Sequence, residues 1–321
     1  MSKFTGSNKE IQTAMRTDRF RKDNTGEKSD LRMSSKTGHM TDARIILCTA
    51  GVSMRKMTRS VSFYVLLFFT FLFWYLYDWN IKSLAAAYGY GVAPYLLPLF
   101  YADGVYLLYG LLLIVLVTCG APFLDRGSLF TIQRTGRLPW CIGQMLYIFL
   151  ANLFFQGIMI LVQIITLLPY ITPSTKWGSV IYTVANMPEL LSGYSGFGYY
   201  NETVILGMSA PGALAKEVIL CTLLGSVIGA GVFLVNGLLR RGIGAIIAAA
   251  GALLTGYVNW ADIIWGWSLE EKLPFNWVNL KYYVDGRFDF GRNVAWLCAM
   301  FLALAVTACV CVKKGWIRTT S

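Results

Sequence analysis

Six uncharged apolar stretches constrain this 321-residue chain more than anything else in it. They lie near Val61–Tyr77, Gly104–Leu124, Leu138–Tyr170, Val218–Leu239, Gly242–Trp260 and Asn293–Val312, and none of the 28 Lys/Arg or 17 Asp/Glu side chains falls within one. An apolar run of about 18–25 residues at 1.5 Å rise spans a hydrocarbon core about 30 Å thick. Inside lipid, a helix satisfies its own backbone hydrogen bonds over such a run, and an isolated strand does not. The expected fold is therefore all-α: a polytopic membrane protein with six transmembrane helices.

Charge sets the expected orientation. The net charge of +11 could signal a nucleic-acid partner, but its distribution argues for none. Residues 1–60 carry 13 Lys/Arg against 6 Asp/Glu, and the connections then alternate. The segments 121–140, 239–242 and 313–321 hold Arg126, Arg134, Arg137, Arg240, Arg241, Lys313, Lys314 and Arg318, opposed by Asp125 alone. The intervening connections are richer in acid, with Asp78, Asp103, Glu189, Glu202 and Asp289 among them. Basic residues stay on the cytoplasmic side during insertion, so both termini are expected there, in a multi-pass plasma-membrane protein. Trp74, Trp79, Trp140, Trp260, Trp296 and Trp316 lie near stretch ends, where indole rings favour the interface.

Three parts follow. Residues 1–41 are polar and basic, too poor in apolar side chains to fold, and read as a disordered cytoplasmic tail without a secretory signal. Residues 42–60 place Ile45, Cys48 and Val52 at helical spacing among Arg44, Arg55, Lys56 and Arg59. They read as an amphipathic interfacial helix, or as an extension of the first span. Residues 61–321 form the six-helix membrane domain. The third stretch is longer than one crossing needs, so its helix tilts or projects. The outer segments 171–217 and 261–292 are expected to hold short helices rather than a folded domain. Seven cysteines, none in an outer connection, give no disulfide framework or metal spacing, and the lone His39 sits in the tail.

Motif absences narrow the chemistry. The chain has no G-x-x-x-x-G-K-[ST] loop, no H-E-x-x-H and no G-x-S-x-G. No ATPase, metalloprotease or serine-hydrolase centre is expected, and no metal or cofactor bound by this chain. The apolar stretches also hold no ionisable group, which counts against a proton-coupled carrier.

Two stripes stand out. Gly244, Ala248, Ala252 and Gly256 recur every four residues, and Gly225 and Gly229 do the same in the preceding stretch. Such smooth faces let backbones approach, either for packing within the chain or for a contact that slides. Asn152, Gln156 and Gln163 fall within about 40° of one another on a helix at 100° per residue. Uncharged amides in lipid turn toward protein or a wet cavity, so the stripe is either interhelical bonding or a substrate path.

The inner connection Ala121-Pro122-Phe123-Leu124-Asp125-Arg126-Gly127-Ser128-Leu129-Phe130-Thr131-Ile132-Gln133-Arg134-Thr135-Gly136-Arg137 carries the last signal. Pro122 ends one stretch, Asp125 or Ser128 supplies a cap, and Leu129, Phe130 and Ile132 give a short helix an apolar side beside Arg126, Arg134 and Arg137. Such a helix fits a partner's socket or lies on anionic lipid.

With the basic amphipathic segment, the six stretches and the long outer segment before the last one, this connection resembles that of type-two ABC exporter permeases. The likeness extends to small permease-like proteins of Gram-positive bacteria. It rests on Ala121-Pro122-Phe123, Arg134-Thr135-Gly136-Arg137-Leu138-Pro139-Trp140, Gly143-Gln144-Met145-Leu146-Tyr147-Ile148, Trp177-Gly178-Ser179-Val180-Ile181-Tyr182-Thr183 and Leu273-Pro274-Phe275-Asn276-Trp277, over about residues 44–318. Asn186-Met187 and the long tail depart from the pattern. The resemblance implies a membrane subunit that moves an amphipathic substrate while a separate ABC ATP-binding subunit hydrolyses ATP with Mg. Asp125, Arg126, Leu129, Phe130, Ile132, Arg134 and Arg137 would form the coupling helix. A second permease copy, or a related permease, would complete the pathway. The alternative is a six-span sensor, immunity or scaffold protein that transports nothing.

Overall fold

The computed structural model describes residues 43–121, 132, 136–191, 200–239, 242–265, 269 and 272–315. The chain is all-helical there. Helix α1 covers residues 43–58, followed by α2 (Val61–Tyr88), α3 (Leu97–Ala102), α4 (Gly104–Thr118), α5 (Arg137–Leu167), α6 (Ser179–Asn186), α7 (Glu202–Gly207), α8 (Ala210–Leu238), α9 (Ile243–Trp265), α10 (Lys281–Val284) and α11 (Phe290–Lys313). Local chemistry sets several boundaries. The Ser60 hydroxyl accepts from the Phe63 amide at the start of α2, and Gly89, at φ 70°, ends it with a left-handed turn. Asp103, Asn201 and Asp289 cap α4, α7 and α11 in the same way as Ser60.

Five helices, α2, α5, α8, α9 and α11, are long and apolar enough to cross a membrane. The second expected stretch differs. Its helix, α4, has 15 residues, about 22 Å at helical rise, and does not reach across a 30 Å core by itself. The short helix α3 precedes it, separated by Asp103 alone. A Cβ on Gly110 would meet the Tyr101 ring, so α3 folds back beside α4 instead of extending it.

Long-range contacts give the six principal helices alternating directions. Gln144 of α5 donates to Ser53 of α1 (2.9 Å), Cys309 of α11 lies 3.6 Å from Cys141 of α5, and Asn236 near the end of α8 donates to the Ala121 carbonyl (2.7 Å). These contacts gather Arg55, Lys56, Arg59, Arg137, Lys313 and Lys314 at one end, here termed the basic end. At the far end the short elements are knitted together. Val92 and Ile171 form a parallel bridge, the Trp177 indole donates to the Met208 carbonyl, and Asn259 and Asn276 exchange two amide hydrogen bonds (3.1 and 2.7 Å).

Helix α8 is the axis of the bundle: 78% of its most apolar stretch is buried, against 17–39% in the other four long helices. Those four present Tyr64, Phe68, Leu161, Ile246, Leu253, Leu302 and Val306 outward, while polar side chains lie inside. This inverted distribution is what a lipid solvent selects, because apolar surface costs nothing against acyl chains and an unpaired polar group costs several kcal/mol.

The α1 contacts add detail at this level, and the tryptophan expectation changes in part. On α1, the buried face is Thr49, Ala50, Ser53 and Met57, while Cys48 and Val52 point outward and Ile45 is half-buried. Small polar side chains allow α1 to dock on Gly143 and Gln144, so the apolar stripe is its outer face. Trp74 and Trp140 are core residues, Trp79 is exposed within α2, and Trp260 and Trp296 are exposed near helix ends; Trp316 lies outside the described residues.

Candidate functional site

The amide stripe of α5 faces the interior. Asn152, Gln156 and Gln163 are all 0% exposed. The Asn152 amide donates to the Ile148 carbonyl of its own helix (2.8 Å), which leaves its Oδ1 unpaired. Both ends of Gln156 and of Gln163 lack a hydrogen-bond partner among the described residues. Interhelical bonding therefore does not account for these two glutamines, which lie two turns apart on one face of α5.

Two carboxylates flank the stripe, and sequence reading placed neither inside the bundle. Helices α2 and α8 continue past the apolar stretches, so Asp78 and Glu217 lie within them and are fully buried. The interior is not free of ionisable groups, and the argument against a proton-coupled carrier loses its premise. The Thr166 hydroxyl donates to Asp78 Oδ2 (2.6 Å), and Lys82, one turn along α2, bears on Asp78 electrostatically while resting over the Tyr75 ring. Glu217 has less: the Cys221 thiol donates to Oε1 (3.1 Å), and Oε2 has no partner among the described residues. The usable sequence signals were the Glu217/Cys221 spacing of one helical turn and the apolar residues 210–215 before Lys216.

The break between α3 and α4 completes the site. Every residue of α3 is buried. The Tyr101 hydroxyl sits beside Gln156 and Cys221 and in the field of Glu217, without hydrogen-bond geometry to any of them. Interrupted helices are tolerated at membrane depth where protein or a polar cavity surrounds them. In transporters such interruptions often border the solute site. At the far end, the Tyr200 hydroxyl donates to the Tyr77 carbonyl (2.8 Å), and burial pushes its acidity well below that of a free phenol. Burial likewise raises the Tyr283 pKa, with Asn293 donating to its oxygen (2.9 Å).

The small-residue stripes serve contacts within the chain. A Cβ on Gly225 would strike Asn152, and one on Gly229 would strike Ile148 and Thr118. Gly244 meets the Val232 carbonyl of α8, Gly256 meets Leu108 of α4, Ala252 is fully buried and Ala248 packs against the core. Of the inner connection, Asp125, Arg126, Leu129, Phe130 and Arg134 lie outside the described residues. Ile132 is buried at 8% exposure, the Gly136 amide donates to its carbonyl (3.0 Å), and the exposed Arg137 starts α5.

No family model, curated protein or solved structure matches this chain.

Proposed function

We propose that this chain is the membrane-spanning permease subunit of an ATP-driven ABC exporter. Both termini are cytoplasmic in this reading, the short α4 makes the sixth crossing where the bilayer thins around it, and the basic end faces a separate ATP-binding subunit. A second permease copy or a related permease supplies the other half of the pathway, and the cargo is amphipathic. The observation that carries the reading is the anchorage of the inner connection. Ile132 is buried in the bundle, and one turn later Gly136 leads directly into α5. A push on that connection passes to the helix bearing Asn152, Gln156 and Gln163. Nucleotide drives such a cycle only by binding the two bundle states with different affinity.

The test is co-purification with an ATP-binding subunit from the native membrane, followed by substrate-stimulated ATP hydrolysis in proteoliposomes. Phe130→Asp with Arg134→Glu should abolish stimulation while the protein still inserts. Wild-type stimulation in that variant removes the coupling helix from the mechanism, and failure of any ATPase to associate leaves the sensor, immunity or scaffold reading. A second transport reading is favoured by buried Asp78 and Glu217: a carrier driven by an ion gradient. It requires uptake under an imposed gradient with no ATPase present.

A further inference from the structure

We propose that Glu217 is a proton-binding site inside the bundle, and that its protonation holds the packing of α3 against α8. The inference concerns this cluster alone and stands whether or not an ATPase drives the protein. Glu217 is fully buried on the central helix, one oxygen taken by the Cys221 thiol and the other unpaired among the described residues. An ionised carboxylate in that position demands a compensating charge, because an isolated buried charge costs far more than any single hydrogen bond returns.

The groups around it supply no such charge. On α8 itself, the Lys216 ammonium is turned onto the Phe290 ring, 5.6 Å from its centre. Cys221 is neutral as a donor, Tyr101 of α3 is a neutral phenol, and α5 contributes the amide of Gln156. Beyond these, α10 brings Tyr283 and α11 brings Arg292 and Asn293, of which Arg292 bears on Tyr283. Helices α4 and α9 direct no cation at it among the described residues.

The neutralising species is therefore a proton or a bound metal cation, and the donor set decides between them. Hard cations such as Na+ need several oxygen ligands converging on one point, and a thiol is a poor member of such a shell. Here one carboxylate oxygen already faces sulfur. A proton needs only Oε2. Second, the buried and unpaired Tyr101 hydroxyl lies in the field of this carboxyl, and the buried and unpaired Gln156 lies beside Tyr101, so water entering after deprotonation finds partners at once. Loss of the proton thus replaces a dry α3–α8 contact by a hydrated one, and the buried Cys221 becomes reachable.

The experiment uses the full chain in detergent. At pH 7 an infrared spectrum should contain the carbonyl stretch of a protonated carboxyl, retained in Asp78→Asn and lost in Glu217→Gln. Exposed carboxylates are ionised at that pH, with ordinary pKa values near ~4. Maleimide labelling, resolved by mass spectrometry and normalised to the exposed Cys48, should show Cys221 becoming reactive as pH rises in wild type, with that rise absent in Glu217→Gln. Should Glu217→Gln not accumulate, the spectrum of Asp78→Asn combined with Asp103→Asn decides alone, since it leaves Glu217 as the buried carboxyl among the described residues. Absence of the protonated band in Asp78→Asn, or the same labelling profile in wild type and Glu217→Gln, overturns the proposal.

Discussion

Replacing Gly225 by alanine tests the central contact of the bundle, because two opposing effects act on it and the structure fixes which is larger. Alanine is favoured over glycine within a helix by about 0.8–1.0 kcal/mol. Against this, the new Cβ would fall on Asn152 Oδ1 and 2.6 Å from Asn152 Cγ, with the Ile114 methyl at 3.2 Å. Asn152 has nowhere exposed to go, and moving it breaks its 2.8 Å bond to the Ile148 carbonyl. Overpacking costs about 1–3 kcal/mol and a lost buried hydrogen bond about 1 more, so Gly225→Ala should destabilise by about 1–3 kcal/mol net. Gly157 is the control. It lies in α5 with nothing within 4 Å of an added Cβ, so Gly157→Ala should stabilise by up to about 1 kcal/mol. Unfolding in mixed micelles, followed by circular dichroism against dodecyl sulfate fraction, separates changes of opposite sign. Asn152→Ala on the Gly225→Ala background should recover about 1–3 kcal/mol relative to additivity, since neighbouring sites couple through a shared space. Equal stability of the two glycine variants, or strict additivity of Gly225 and Asn152, refutes the packing described here.

The thiols of Cys141 and Cys309 lie 3.6 Å apart, so mild oxidation should join α5 to α11, and a peptide map lacking that crosslink would displace one of these helices. Thr166→Val removes the hydroxyl that serves Asp78 and should cost about 1–3 kcal/mol, with Asp78→Asn in the same background restoring most of it; no loss on the first change means that water already serves the carboxylate. Asn276→Leu breaks both amide bonds to Asn259 and should loosen the far-end cap, read as faster proteolysis within residues 269–289. Tyr200 is held above its free pKa by burial, so the folded chain keeps its phenolic proton at pH values where the unfolded chain has lost it. The stability it contributes is complete below about pH 10 and falls as pH rises beyond that value, whereas Tyr200→Phe, weaker at neutral pH by about 0.5–1.5 kcal/mol, should show a flatter alkaline decline.

Helix existence was legible because an apolar run of bilayer length has one good solution. Helix ends were less so. The uncharged stretches stop at Tyr77 and begin at Val218, and those limits hid Asp78 and Glu217, because a helix continues wherever its neighbours bury the next turn, charged or not. The stripe of Asn152, Gln156 and Gln163 was readable from angular spacing alone, since helical phase is set by the backbone. Its surroundings were not: Tyr101 reaches Gln156 only because α3 folds back along α4, a tertiary event that no local pattern encodes. On α1 the visible apolar residues marked the outer face. In an aqueous protein that reading would place them inside, but where lipid is the solvent, small and polar side chains such as Thr49 and Ser53 make the closer helix contact.

The bundle is asymmetric along its axis, and residue size explains why. Toward the basic end, Gly229 rests on Thr118 and Ile148, and Gly244 on the Val232 carbonyl, so the helices pack closely at these points. Toward the far end, Gln156, Gln163, Asp78 and Glu217 all hold unpaired polar atoms around the α3–α4 break. Each buried unpaired atom costs about 1–3 kcal/mol, a penalty that entering water removes. Opening at the far end therefore relieves several groups together. Opening at the basic end separates close-packed helices and relieves Gln144. If the chain cycles between two access states, the far-open one is favoured by its own side chains, and the basic-open one needs work from outside. The connection through Ile132 and Gly136 is where that work would enter under the ATP-driven reading, at the end of the bundle that resists opening.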